Sequence, residues 1–334
     1  MIYYYCSTMN NRLYTIAAVV MFSLLGTVAQ GQSLQSEIDY DKLHQLISFC
    51  DSTKADEILI MYKGETVKHW KNPYCDTVYM HTRSMVKSWT ALVVGILIDK
   101  EIIKSVDDLV CNYLPEWEDG CRHKVTIRNL LNMTAGFNRK SGQGALVQED
   151  INTWLLKQKL DTLPNIRMAY SNESVQLLGI IIERVTDKDA EAVFKELLFD
   201  PLSMDSSWLA RDDSGNSVVF GGCKTTVQDA AQIALLMRNK GKHMGRQIVS
   251  KSWIEESVSP SKICSYYGFL WWLDNVSANK NYAAMGDLGQ MTIIFPKLDL
   301  ILIRRQNCDL SPSSLNMSWM GPGFLQLIAE IVLI

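Results

Sequence analysis

At 334 residues, with 47% hydrophobic residues and a formal net charge of −3, the chain can bury a large core, as one big domain or as two that share a cleft. Charges of both signs are interspersed and form no basic stripe, which excludes nucleic acid and leaves a small molecule or peptide as the expected substrate. Five histidines without H-x-H or H-E-x-x-H spacing, and eight cysteines without a C-x-x-C pair, offer no ligand set for a metallohydrolase, so no metal or cofactor is expected.

The first predicted element is the apolar stretch from Tyr14 to Ala29, preceded by Arg12 and followed by small residues up to Gly31. It is short for a membrane span and reads as a signal peptide over residues 1–31, the rival being an uncleaved anchor. Its removal would place the protein in the periplasm or outside the cell, without a stable membrane span. Seven cysteines would remain, so full pairing is impossible; Cys111 and Cys121 are candidates to close one loop.

A helix is expected from Tyr40 to Phe49, then a hairpin in which Glu57 to Tyr62 and Thr66 to Trp70 flank Lys63-Gly64-Glu65. Trp89 to Ile98 is a mostly apolar run, predicting a helix buried on most sides. At its start stands Ser84-Met85-Val86-Lys87. Residues three apart share a helix face, so the Lys87 amine can approach the Ser84 hydroxyl, and a buried helix start points free N–H groups at an oxyanion. By itself S-x-x-K is equally well an N-capping serine followed by a solvated lysine.

Between residues 106 and 227 short helices and loops are punctuated by Pro115, Pro164 and Pro201. Helical periodicity marks Asn129 to Met133, Ile151 to Leu160, Val175 to Val185 and Ala190 to Phe199. Lys224-Thr225-Thr226 reads as a helix start capped by Thr225 or Thr226, ahead of helices at Val227 to Lys240 and Ser252 to Ser257. Strand-like runs follow at Gly268 to Leu273, Asn281 to Met285, Gln290 to Phe295 and Leu298 to Arg305. An amphipathic helix from Phe324 to Val332 closes the chain. The pattern predicts an α/β (α+β) fold: an antiparallel sheet flanked by helices and assembled from residues 32–105 and 228–334, with a largely helical inserted region at 106–227.

Six motifs in order give this pattern a likeness. Ser84-Met85-Val86-Lys87, the Thr134-Ala135-Gly136 turn, Tyr170-Ser171-Asn172, Pro201-Leu202-Ser203-Met204, Tyr267-Gly268-Phe269-Leu270-Trp271-Trp272 and Gly286-Asp287-Leu288-Gly289-Gln290 resemble those of the serine β-lactamase and penicillin-binding superfamily. The nearest branch comprises class C β-lactamases, carboxylesterases and 6-aminohexanoate-oligomer hydrolases, and the likeness runs from about Glu57 to Ile334. It implies a β-lactamase/transpeptidase-like fold with the site at the junction of sheet and helices. Ser84 would be the nucleophile.

A serine hydroxyl needs a base, and no Ser-His-Asp set or G-x-S-x-G elbow is present. Lys87 and Tyr170 are the candidates, each needing a pKa tuned downward from about 10, and which one holds the proton stays open. Asn172 would orient Lys87 or bind the substrate carbonyl, while backbone N–H groups of Ser84 and of the strand near Gly286 and Asp287 would hold the oxyanion. Where the resembling enzymes carry Lys or His before that glycine, this chain has Ala284-Met285-Gly286. Lacking that cation, it is expected to act on an ester or amide without the carboxylate of a β-lactam or D-alanyl peptide, unless Arg304 or Arg305 supplies the charge. A true β-lactamase or D-alanyl-D-alanine carboxypeptidase, and a catalytically silent binder of peptidoglycan or of a partner, are the alternatives.

Overall fold

The structure is a computed structural model that describes residues 36–138, 144–308 and 320–333. The expected signal peptide lies outside the described residues. In chain order come α1 (Tyr40–Ser52), β1 (Glu57–Tyr62), β2 (Glu65–Lys71), β3 (Met80–His81), a 3-10 turn (Arg83–Met85) and α2 (Val86–Asp99). The middle of the chain carries α3 (Glu118–Arg122), α4 (Ile127–Leu131), α5 (Ile151–Leu155), α6 (Asn172–Thr186) and α7 (Ala190–Phe194), then β4 (Trp208–Leu209) and β5 (Cys223–Thr225). After these come α8 (Val227–Arg238), the ribbon β6 (Lys242–His243) and β7 (Arg246–Gln247), and α9 (Lys251–Ser257). Strands β8 (Trp272–Asp274), β9 (Asn281–Gly286), β10 (Gln290–Phe295) and β11 (Leu300–Arg305) follow, and α10 (Pro322–Ala329) comes last.

The main sheet is antiparallel, in the order β2-β1-β11-β10-β9-β8, so strands from both ends of the chain meet at the β1–β11 pair. Alternate residues of each strand enter two separate cores. Leu59, Met61, Ile301 and Ile303 face α2, α8 and the helical region, whereas Ile58, Ile60, Leu300 and Leu302 face α1 and α10. Coverage of both faces is why these strands read as continuous apolar runs rather than as alternating ones. Helices α1 and α10 close the second face through stacked Phe49 and Phe324 rings, 5.5 Å apart, and the Lys42–Glu330 ion pair at 2.6 Å. Among the described residues no helix is long and apolar enough to cross a membrane.

Helix α2 runs through the first core with twelve residues, Val86 to Leu97, buried. Gly95 is there for space: a Cβ would come within 2.2 Å of the Trp253 indole, whose N–H donates to the Ala91 carbonyl at 3.0 Å. Region 106–227 is less purely helical than its sequence suggests, because β4 and β5 pair there and β5 continues to β3. Lys224 and Thr225 therefore belong to a strand, and Thr226 alone caps α8, accepting from the Asp229 N–H at 3.1 Å. The helix expected to reach Leu160 stops at Leu155, since Asp119 takes the Leu160 N–H at 2.7 Å. That expected to reach Phe199 gives way to a π turn over Lys195–Phe199. Ser203 stands at φ +56°, where the resembling turn has glycine.

Disulfides join Cys111 to Cys121, as proposed, and Cys75 to Cys308, a pair the sequence did not suggest. Cys50, Cys223 and Cys264 are free and buried.

Candidate active site

Ser84 sits in the 3-10 turn just ahead of α2, half-buried, and Lys87 follows on the first turn of the helix. The Lys87 amine is buried and donates to Ser84 Oγ at 3.0 Å and to the Phe220 carbonyl. A carbonyl can only accept, so it fixes one N–H of the amine and leaves the rest of Nζ turned toward the serine. Arg83, immediately before Ser84, has φ +50°, a conformation that costs a side-chain-bearing residue energy and that concentrates at functional sites.

Tyr170 reaches the same place from the residue pair before α6. Its ring centroid lies 5.1 Å from Lys87 Nζ. The ring stacks on Trp272 at 5.6 Å and meets the edge of Tyr267 at 6.2 Å. Burial pushes the Tyr267 phenol well above its ordinary pKa, with Tyr170 and Cys264 adding to it, so Tyr267 stays neutral. Ser171 caps α6, and Asn172 is its first residue, half-buried; the Asn172 amide makes no hydrogen bond among the described residues.

Gly286, the last residue of β9, presses on the turn that holds Ser84. Its φ of −134° is open to any residue, but a Cβ there would lie 2.4 Å from the Thr82 carbonyl oxygen and 3.1 Å from the Ser84 nitrogen. Only glycine lets the strand come this close. The turn beyond it carries Leu288 at φ +65° and is braced from behind by Arg304, which is buried and donates to the carbonyls of Gly289, at 2.9 Å, and Thr53, at 2.5 Å. Arg305 is equally buried and pairs with Glu57 at 2.5 Å.

A cavity of about 280 Å³ opens over these groups, lined by Ser84, Tyr170, Trp272, Met285, Gly286, Asp287 and Met320. Four of the residues singled out in the sequence, Ser84, Tyr170, Gly286 and Asp287, thus share one wall, and Lys87 joins through its hydrogen bond. Asn172 adjoins Tyr170 in the chain but does not line the cavity. Neither arginine lines it, and Asp287, exposed, is the one charged side chain that does among the described residues. Ala284 faces the other way, into the α2 core.

Sequence reasoning missed three contributors. The Phe220 carbonyl is a backbone group without any sequence signal. Trp272 stood inside a motif read only as a strand. Glu173, next to Asn172, is buried, and neither carboxylate oxygen has a hydrogen-bond partner among the described residues. Burial raises its pKa, against the pull of nearby backbone amides and of the Lys87 charge.

A family model described as Beta-lactamase matches residues 56–316. Beta-lactamase-like protein 2 of Dictyostelium discoideum is 28% identical over 142 residues, 39% of this chain and 26% of that protein. The match spans about a quarter of the length of the curated relatives. Among solved structures, a hydrolase with promiscuous acyltransferase activity superposes with a TM-score of 0.70 at 16% identity, covering 88% of this chain and 98% of that one. A D-stereospecific amidohydrolase from Streptomyces sp. gives 0.64 at 18% identity, covering 80% and 94%.

Proposed function

Because the chain belongs to the beta-lactamase family, we propose that it is a serine hydrolase that cleaves an ester or amide through an acyl-enzyme on Ser84. The observation that carries this reading is the 3.0 Å hydrogen bond between a buried Lys87 amine and the Ser84 hydroxyl. Once Lys87 has lost its charge to solvent, its amine turns from donor to acceptor toward the serine: Ser84 Oγ attacks the substrate carbonyl carbon and its proton passes to Lys87 while one N–H stays on Phe220. The carbonyl oxygen takes up the negative charge against backbone N–H groups at Ser84 and at the end of β9. Tyr170 delivers the proton to the leaving group, and water then attacks the acyl-enzyme by the reverse route.

The cavity wall favours substrates without a carboxylate beside the reactive carbonyl. Such a charge would meet Asp287 and no lining cation, and a buried anion without a partner is costly. Esters and simple amides avoid this cost. The two disulfides support a location outside the cytoplasm, periplasmic or secreted.

One set of measurements tests the reading. A fluorophosphonate probe should label the wild type and not Ser84→Ala, whose hydrolysis of p-nitrophenyl acetate should fall below about a thousandth of wild type. On the same preparation nitrocefin should be turned over at least about tenfold less efficiently than p-nitrophenyl acetate or butyrate, the usual worth of one charge-assisted hydrogen bond. Labelling of Ser84→Ala would overturn the nucleophile, nitrocefin turnover equal to the esters would restore a β-lactamase, and an unlabelled wild type would point to a silent binder.

A further inference from the structure

The wall of the Ser84 cavity is also the wall of a second one. Trp272, Met285 and Met320 line both, and behind them a cavity of about 190 Å³ runs between β8, β9, β10 and α10. The hollow has a local cause. Ala283 lies directly opposite Trp272 on β8 and Ile293 on β10, so a methyl group occupies the place between two large neighbours. Leu273, Met291, Phe324 and Leu325 complete the apolar lining. The two polar residues on the rim, Asp274 and Asn281, satisfy each other, with Asn281 Nδ2 donating to Asp274 Oδ2 at 2.9 Å, and Ser277 also donates to Asp274 at 2.5 Å. No unpaired polar group of this pair asks for a polar ligand. An apolar hollow of this kind takes up an apolar guest readily, and methionine walls adapt to its shape.

Resting on the hydrolase reading, we propose that this second cavity is the acyl subsite, and that the preferred substrates carry a medium-length aliphatic or aryl-aliphatic acyl group. The direction follows from the strand. A carbonyl held at Ser84 and Gly286 leaves its acyl chain beside β9, and the residues that β9 presents on that face, first Met285 and then Ala283, lead from one cavity into the other. The leaving group departs on the Tyr170 side.

The test varies the two halves of the substrate separately. The p-nitrophenyl esters from acetate to octanoate change the acyl chain, and acetates of alcohols of the same lengths change the leaving group. In the wild type, kcat/KM should rise about threefold to fourfold per methylene along the acyl series until the cavity is full, the usual gain on burying one methylene, and stay flat along the alcohol series. Ala283→Leu fills the hollow and should bring the hexanoate-to-acetate ratio toward one, with folding checked by its thermal melt. A flat acyl series in the wild type, a rise along the alcohol series instead, or a ratio unchanged in a folded Ala283→Leu each overturns the proposal. Labelling of Ser84 by the fluorophosphonate probe is read in parallel. Labelled enzyme with a flat series defeats the subsite alone, whereas unlabelled enzyme defeats the hydrolase reading and the subsite with it.

Discussion

On the proposed mechanism Lys87 and Tyr170 divide the proton work differently, and the division can be measured. Lys87 touches Ser84, the proposed nucleophile, while Tyr170 lines the same cavity with its ring held by Trp272 and Tyr267. Tyr170→Phe keeps that ring packing and removes only the hydroxyl. In kcat/KM, which reports acylation alone, amide hydrolysis should fall by about a hundredfold to ten-thousandfold and p-nitrophenyl ester hydrolysis much less, because nitrophenolate leaves without a proton. Equal losses on both substrates would show that Tyr170 serves the attack step instead. Glu173 offers a pH signature. Its folded-state pKa is raised by burial, so its contribution to stability is intact below the ordinary value of 4.5 and is lost as the pH climbs through the raised one. Glu173→Gln removes the titration. Thermal melts should show little difference between variant and wild type at pH 4, and at pH 7.5 a more stable variant by about 1–3 kcal/mol, the usual cost of an unpaired buried polar group. A gap that does not change with pH would mean that burial leaves the Glu173 pKa unshifted, and a variant that becomes the less stable one as the pH rises would mean that Glu173 is paired.

At the scale of elements, the site is a junction between the start of a helix and the end of a strand, and Gly286 sets its closeness. Gly286→Ala would place a methyl group against the Thr82 carbonyl and the Ser84 nitrogen, both backbone, so neither can swing aside. Either β9 or the turn at Arg83–Met85 must shift. If the end of β9 holds the oxyanion as proposed, such a shift disturbs a donor and kcat should drop about a hundredfold to a thousandfold, with about 1–3 kcal/mol of lost stability from overpacking. Measuring kcat and the melt on one sample separates the two effects. A variant with wild-type kcat would mean that β9 takes no part in binding the oxyanion. Arg304 fits the same picture, a buried cation spent on carbonyls to hold the Leu288–Gly289 turn in place rather than offered to a ligand.

Across the whole molecule, the sheet is closed by residues from the two ends of the described chain, and the Cys75–Cys308 disulfide fastens that closure. It spans a sequence separation of 233, against 10 for Cys111–Cys121. Cross-linking a long loop restrains the unfolded chain more than cross-linking a short one, in the chain-entropy account. Cys308→Ser should therefore cost about 2–4 kcal/mol in denaturant unfolding, and more than Cys121→Ser. The reverse order would place the stabilising effect of these bonds in the native state.

Features that depend on neighbours a few residues apart can be read directly from the amino-acid chain. The strand runs of β1, β9, β10 and β11 were legible because the sheet is covered on both faces, and the Ser84–Lys87 pairing because a helix turn brings residues three apart together. The cap at Thr226 follows from the same local chemistry. The rest of the site comes from contacts made on folding. The Phe220 carbonyl on Lys87, Gly286 against Ser84, Trp272 on Tyr170, the burial of Arg304 and Arg305, and the hollow at Ala283 all join residues far apart in the chain. No periodicity or propensity encodes such contacts. They arise because close packing forces particular side chains and backbone groups together once distant segments have met, and the chemistry of the cavity is set by which of them end up facing it.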